Sequence, residues 1–254
     1  MIQLNSEQLG LWIAAFVWPF IRILAMLSTA PIFESRILQR RVRIGLAACI
    51  AITLMPILPP PPPIADSHSL YILIQQLLVG VAMGFTMRLV FAAFEVAGDL
   101  LGLQMGLAFA QFIDPQKGGT SPILGSYLSL LASLVFLALD GHLLVITAII
   151  NSFELVPIGS SLQVINLETI ALTGSMMFLI AMQIAIPVLA ALIISNVILG
   201  VLARAAPQMN IMSIGFAITI TVGIWVLWVS MPYLMSNFDS MINRLLTIDI
   251  FNNT

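Results

Sequence analysis

Long apolar runs separated by short polar loops are the feature that most limits how this chain can fold. Six such segments can be drawn, at approximately 8–33, 44–58, 70–94, 123–150, 169–203 and 211–235. Each is long enough, or nearly so, to cross a bilayer, which takes about 20 apolar residues as a helix. Because lipid cannot satisfy free backbone N–H and C=O groups, separate spanning segments must be helical. The pattern therefore predicts an all-α, membrane-associated protein with about six helices.

The charge content supports a membrane protein and limits its partners. Hydrophobic residues make up 60% of the 254 residues and charged residues only 8%, whereas about a quarter of a soluble domain is charged. The formal net charge of −2 gives no basic surface, so we expect no nucleic-acid partner.

Several of the apolar segments contain prolines or amides that a simple spanning helix does not need. Pro19, Pro187 and Pro232 interrupt three segments and predict kinked helices. Gln75 and Gln76 lie in the third segment and need hydrogen-bond partners on a neighbouring helix. A hetero-oligomer of apolar helices would offer more such partners than one chain alone. The five consecutive prolines at 59–63 predict a stiff, exposed polyproline II strut.

Small residues recur every fourth position in the second half of the third segment. Gly98, Gly102 and Gly106 would form a smooth stripe on one face of a helix, where another backbone can approach closely. We predict that these three glycines pack the helix tightly against a neighbour.

The residues after this stripe are typical of a loop. Pro115 disfavours a helical conformation at the preceding residue, and two glycines soon follow. Irregular backbone at membrane depth is tolerated only where protein buries it or it lines a water-filled space. We predict that this loop is the working part of the molecule. Its residues of interest are Phe109, Gln111, Phe112, Ile113, Asp114, Pro115, Gly118 and Gly119.

Two further groups of polar residues allow both a functional and a structural interpretation. Glu95 and Asp99 lie four residues apart, so they could form a proton or cation site or simply lie near water at a helix end. Asp140 and His142 interrupt the fourth segment. They could form a proton relay; alternatively, Asp140 caps a helix start where the adjacent glycine breaks the segment.

Sequence motifs for catalysis are absent. The chain has no phosphate-binding loop, no HExxH, no CxxC and no GxSxG, and it has only two histidines. We therefore expect a protein that is not an enzyme and that uses no cofactor and no metal. The alternative function from another class is a proton-coupled secondary transporter that uses Asp140 and His142.

Four stretches of the chain carry a resemblance when taken together: RILAMLSTAPIFESRILQRRVRIGLA (22–47), FAAFEVAGDLLGLQMGLAFAQFIDPQKGGTSPIL (91–124), FLALDGHLLVITAIINSFELVPIG (136–159) and RAAPQMNIMSIGFAITITVG (204–223). They resemble the FliR family of flagellar proteins and its counterparts in virulence type III secretion systems. Their order and spacing match the family over essentially the whole chain.

The resemblance implies a non-enzymatic core subunit of the export gate through which unfolded subunits leave the cytoplasm. One copy of such a protein assembles with several FliP-like and FliQ-like subunits, beside other export-apparatus membrane proteins. The location implied is the bacterial inner membrane, in the flagellar basal body. Residues 1–165 would resemble a FliP subunit and residues 166–254 a FliQ helical hairpin. The family's plug loop would correspond here to residues 109–119.

Overall fold

The computed structural model describes residues 6–34, 39–64, 68–107, 123–161, 167–206, 208 and 211–246. Within these residues every regular element is a helix and there is no strand, which confirms the all-α class. Its helices are α1 (Ser6–Thr29), α2 (Pro31–Glu34), α3 (Arg40–Leu54), α4 (Ser69–Gln104), α5 (Ile123–Ala138), α6 (Gly141–Leu155), α7 (Leu167–Ala205) and α8 (Ile211–Leu246).

The six apolar segments do not correspond to six spanning helices. Four helical stretches are long and apolar enough to cross a membrane: Gln8–Thr29, Ser69–Gln104, Ala171–Ala205 and Ile214–Tyr233. Helices α5 and α6 would make a fifth crossing if they act as one broken span. With 15 residues, α3 is about 22 Å long, which is less than the hydrocarbon thickness of about 30 Å. The predicted interruption of the fourth segment is confirmed, because α5 ends at Ala138 and α6 begins at Gly141.

The chain divides into two compact units. Unit 1 contains Met1–Leu89, Asp140–Thr173 and Leu245–Thr254, and unit 2 contains Val90–Leu139 and Gly174–Arg244. Helices α4 and α7 each pass from one unit to the other. The division at residues 165 and 166 concerns likeness to other subunits and remains a prediction.

A buried arginine organises unit 1. Arg22 of α1 is only 1% exposed, and its Nε donates to Gln76 Oε1 of α4 at 2.7 Å. Its two terminal nitrogens donate to the Ser152 carbonyl at 2.7 Å and the Val156 carbonyl at 2.8 Å. The guanidinium also lies 4.0 Å from the centre of the Phe153 ring. Arg22 thus gives a second donor to the Ser152 carbonyl, which already accepts the Val156 N–H at 3.0 Å, and a donor to the Val156 carbonyl. Both carbonyls lie at the negative end of α6.

The neighbouring amide extends this network to the turn that follows α6. Gln75 Oε1 accepts from the Gly159 N–H at 2.9 Å, and its Nε2 donates to the Ser160 carbonyl at 2.9 Å. Gln76 Nε2 in turn donates to Gln75 Oε1 at 3.1 Å. The prediction that these amides bond to another segment is therefore confirmed, and this chain itself supplies the partners.

The polyproline stretch is less exposed than predicted. Pro61 and Pro62 are half-buried, and the Pro62 carbonyl accepts a hydrogen bond from Trp18 Nε1 at 3.2 Å. A polyproline II segment has carbonyls that no internal bond uses, so the buried indole of α1 finds an acceptor there. Trp18 also packs with Ala14 and Ile72.

Helices α1 and α4 approach closely in unit 1 through two glycines of α4. A methyl group added at Gly80 would lie 2.8 Å from the Ala25 Cβ and would collide with the Arg22 carbonyl. One turn later, a methyl group at Gly84 would lie 2.6 Å from the Met26 carbonyl oxygen. The four-residue spacing is the small-residue pattern that lets two helix backbones meet.

Candidate functional site

The candidate site is the part of unit 2 where α4 ends and α5 begins. Gly98 of α4 lies directly against the first turn of α5, since an added methyl group would lie 2.6 Å from the Cα and N of Gly125. In the reverse direction, a methyl group at Gly125 would collide with the Asp99 carboxylate and lie 3.0 Å from the Glu95 carbonyl oxygen. Both glycines are buried. The start of α5 is therefore held against the backbone of α4.

The other two glycines of the stripe have different surroundings. A methyl group at Gly102 would meet only the Leu124 Cβ, at the ordinary contact distance of 3.8 Å. Gly106 lies beyond the end of α4 with φ +82°, a conformation that glycine adopts without steric cost. Its N–H donates to the Leu103 carbonyl at 3.1 Å, and the Leu107 N–H donates to the Gly102 carbonyl at 2.9 Å. This is the Schellman ending of a helix, so Gly106 terminates α4.

Helix α8 fixes this helix end. The Thr219 hydroxyl donates to the Met105 carbonyl at 3.2 Å, and the Met105 side chain is fully buried. A methyl group added at Gly223 would lie 2.9 Å from the Met105 Sδ. A methyl group at Gly106 would lie 2.5 Å from the Phe216 ring. One face of α8 therefore covers Met105 and Gly106, the residues that follow α4.

These contacts anchor the chain on both sides of one segment. The described part of the chain stops at Leu107, next to the α8 contacts, and resumes at Ile123, next to the Gly98–Gly125 contact. The predicted plug residues, 109–119, fall within the segment 108–122 and so lie outside the described residues. The structure describes the contacts that hold the two ends of this segment, which we call the frame. They are Met105 and Gly106 against α8, and Gly125 against Gly98 of α4.

The two carboxylates of α4 lie beside this frame. Glu95 is exposed and Asp99 is half-buried. The Asp99 Oδ1 atom is itself buried and has no hydrogen-bond partner within the described part of the chain. Both residues lie next to Gly125 at the start of α5, Asp99 with its carboxylate and Glu95 with its backbone carbonyl. Their use as a proton or cation site remains a hypothesis.

The second polar group lies at the break between α5 and α6. Asp140 occupies the N-cap position of α6 with φ 55°, and its side chain makes no capping hydrogen bond. Asp140 and His142 are both exposed, whereas Gly141 is buried. Aspartate is among the few residues that tolerate this left-handed conformation. Within the described residues, no cluster of three acidic, histidine or cysteine side chains could hold a metal ion.

The sequence interpretation missed several residues of the frame. Gly125, Phe216 and Thr219 are non-local partners, and their own sequence neighbourhoods carry no signal for the contact. The glycines between α1 and α4, Gly80 and Gly84, were also missed. Their four-residue spacing, the same as in the stripe, was a sequence signal for close helix packing.

Comparison with known proteins identifies the family. Residues 13–245 match the family described as "Bacterial export proteins, family 1". The chain belongs to the FliR family of bacterial export proteins. It is 43% identical over 235 residues to the flagellar biosynthetic protein FliR of Pectobacterium carotovorum, covering 91% of this chain and 90% of that protein.

Other relatives extend this similarity. The protein of the same name from Escherichia coli K12 is 42% identical over 236 residues, covering 91% of this chain and 90% of that protein. The protein of the same name from Bacillus subtilis is 33% identical over 222 residues, covering 85% of this chain and 86% of that protein. Members of this family are export components, and it is not an enzyme family.

Proposed function

We propose that this chain is a core subunit of the flagellar type III export gate, where it forms the protein-conducting pore with FliP-like and FliQ-like subunits. One copy enters the complex, in the bacterial inner membrane at the flagellar basal body, beside other export-apparatus membrane proteins. Unfolded export substrates pass through the pore. Family membership and relatives named for flagellar biosynthesis support this proposal.

Residues 109–119 act as the plug of the closed pore. The observation that carries this proposal is the anchoring of both segment ends: Met105 and Gly106 against α8, and Gly125 against Gly98 of α4. A segment with two fixed ends can move without dismantling the helices that carry it. The apolar side chains of Phe112 and Ile113 would exclude water from the lumen, which is a known way of closing a channel.

The apolar surface of α7 and α8 supports assembly with helical partners. Trp225 and Trp228 of α8 are 63% and 71% exposed, and Ile194 and Val197 of α7 are each 62% exposed. Apolar surface of this extent needs lipid or other apolar helices to cover it. Residues 166–254 would supply the FliQ-like hairpin of the ring, and residues 1–165 the FliP-like part.

Co-expression tests the assembly directly. An affinity-tagged chain expressed with FliP-like and FliQ-like proteins should purify in one monodisperse complex that contains one copy of the chain. The same tagged chain expressed alone, as the matched control, should be degraded or polydisperse. A stable, monodisperse monomer in mild detergent that does not retain co-expressed partners would contradict the proposal.

A further inference from the structure

The two ends of the frame are held by different kinds of contact. At the end next to Ile123, backbone meets backbone, because a methyl group added at Gly98 would lie 2.6 Å from the Cα and N of Gly125. At the other end a side chain makes the contact. Met105, the residue that follows α4, is fully buried, and its side chain lies against the backbone of Gly223 in α8. The Met105 end can therefore be altered by side-chain substitutions alone.

Three residues of α8 form the surface that receives Met105. Phe216, Thr219 and Gly223 are three and four residues apart, so they lie on one face of the helix; we call this face the Met105 seat. A methyl group added at Gly223 would collide with the Met105 Cε and would lie 2.9 Å from its Cγ and Sδ. The Phe216 ring lies over Gly106, the next residue along the chain. Because residue 223 has no side chain, the thioether of Met105 can fill this space.

The backbone of Met105 also contacts the seat. The last carbonyls of a helix have no partner within it, and a buried carbonyl needs a donor. The Thr219 hydroxyl lies 3.2 Å from the Met105 carbonyl oxygen, and 3.0 and 3.2 Å from the Gly215 and Phe216 carbonyl oxygens of its own helix. Carbonyls inside a helix already accept an N–H, so the Met105 carbonyl has the greatest need of this donor. The seat thus holds both the side chain and the carbonyl of one residue.

Met105 lies immediately before the segment 108–122, and Leu107 is the last residue described on this side. We propose that the Met105 seat fixes the start of this segment, and that Met105, Thr219 and Gly223 are positioning residues for the closed pore. The inference rests on the proposed function of residues 109–119 as the plug. It assigns the closed position to a contact with α8, outside the plug. Loss of this contact should open the pore although Phe112 and Ile113 are unchanged.

Two glycines of α8 provide a matched pair of variants. Gly223→Ala places a methyl group in the space that the Met105 side chain fills, whereas Gly215→Ala places one at the ordinary contact distance of 3.7 Å from the Leu199 Cδ1. Both substitutions lie within the same helix, so they change its intrinsic stability in the same direction. Each variant is studied in the complex with co-expressed partners, and a pull-down through the tagged chain should recover the partners in both cases.

The first measurement is the rate at which a water-soluble maleimide labels position 107. Leu107 is half-buried and Cys49 is exposed, so Leu107→Cys is introduced together with Cys49→Ser, and partner cysteines are changed to serine. Gly223→Ala should label faster by about fivefold or more, the ratio expected from the lower limit of the cost of overpacking. Gly215→Ala should label at the rate of the parent.

Two further variants assign the effect to the seat. Thr219→Val removes the hydroxyl with little change of shape and should raise the labelling rate by up to about fivefold, as for the loss of one neutral hydrogen bond. Met105→Ala should also raise the rate. Adding Gly223→Ala to Met105→Ala should have no further effect, because the collision requires the Met105 side chain.

The second measurement is the ion conductance of the same complexes in planar bilayers, with Leu107 and Cys49 restored. Gly223→Ala should conduct small ions, and Gly215→Ala should remain closed. The Phe112→Ser/Ile113→Ser complex is measured beside them, because it tests the plug itself without altering the seat.

The outcomes separate the inference from the proposed function. Equal labelling of the Gly223→Ala and Gly215→Ala complexes would overturn the inference, because the seat would not fix the start of the segment. Faster labelling of Gly223→Ala without conductance would also overturn it if Phe112→Ser/Ile113→Ser conducts. If Phe112→Ser/Ile113→Ser does not conduct while Gly223→Ala labels faster, the plug proposal fails and the hold of the seat on Met105 is supported.

Discussion

The two units of this protein are stabilised by different kinds of contact. In unit 1, Arg22 and the amides of Gln75 and Gln76 form a connected set of directional hydrogen bonds between α1, α4 and the end of α6. In unit 2, the described contacts of the frame rely on close approach, with Gly98 against Gly125 and Met105 against Gly223. Unit 1 also contains a close glycine approach, at Gly80 and Gly84, so what distinguishes it is the buried polar network. Loss of polar groups should therefore weaken unit 1, whereas the frame in unit 2 should be weakened mainly by added methyl groups.

The same difference has a consequence for motion. A network of buried hydrogen bonds has one favoured arrangement, because any displacement leaves polar groups without partners. We infer that this network keeps α1, α4 and the end of α6 in one arrangement within unit 1.

The largest effect should come from breaking the network of unit 1. Arg22→Met should lower the free energy of unfolding by about 3 kcal/mol or more, because the Ser152 and Val156 carbonyls and the Gln76 amide lose their charged donor inside the protein. Thermal unfolding of the detergent-solubilised, co-expressed complex, followed by tryptophan fluorescence, measures this. Arg204→Met, at an exposed arginine, is the control and should unfold as the parent does. Equal stability of Arg22→Met and the parent would disprove the role of the network.

A pair of glycine substitutions tests unit 2. Gly98→Ala should cost about 1–3 kcal/mol, because the helices α4 and α5 must separate to admit the methyl group. Gly102→Ala, one turn later on the same helix, finds room next to Leu124 and should be neutral or stabilise by up to about 1 kcal/mol through helix propensity. The same unfolding measurement compares them. If both substitutions have the same effect, the close approach at Gly98 is not what holds α5.

The helix end at Gly106 should give a smaller effect. Gly106→Ala should cost about 1–2 kcal/mol for the left-handed backbone alone, and more because of the Phe216 ring. Repeating the substitution in a Phe216→Ala background separates the two causes, since only the steric part depends on the ring. An identical cost in both backgrounds would mean that α8 does not press on this residue.

The smallest effect is expected at Asp140. Asparagine tolerates the same left-handed conformation as aspartate, so Asp140→Asn should leave stability within about 0.5 kcal/mol of the parent and leave export unchanged. Swimming in soft agar and secretion of flagellar subunits check this. If export is lost while the complex still assembles, a proton-coupled function of Asp140 would gain support over the passive gate.

The sequence allowed correct predictions where the signal is local. Continuous apolar segments predicted helices, and Asp140-Gly141 predicted the break in the fourth segment, because backbone preferences act within a few residues. The number of spanning helices could not be predicted in this way. The second segment, at 44–58, is the shortest of the six, but hydropathy alone did not exclude it as a crossing, nor did it show that the fourth segment forms two helices.

The predictions were incomplete where the partner is distant in sequence. Because Gln75 and Gln76 lie in an apolar segment, their need for hydrogen-bond partners could be predicted. That the partners are Arg22, Gly159 and Ser160 could not be predicted. Periodicity likewise indicated a smooth face through Gly98, Gly102 and Gly106 without indicating where α4 stops. The helix ends before Gly106, so that of the three glycines only Gly98 lies against the backbone of another helix.

We propose that the segment between Gly106 and Ile123 closes the pore. The most direct measurement is the ion conductance of the assembled complex in planar bilayers, for the parent and for Phe112→Ser/Ile113→Ser. We expect the variant to assemble with its partners, because the frame lies outside the substituted residues. We also expect it to conduct small ions, because water is no longer excluded from the pore. A variant that assembles normally and conducts ions no more than the parent complex would show that this segment does not close the pore.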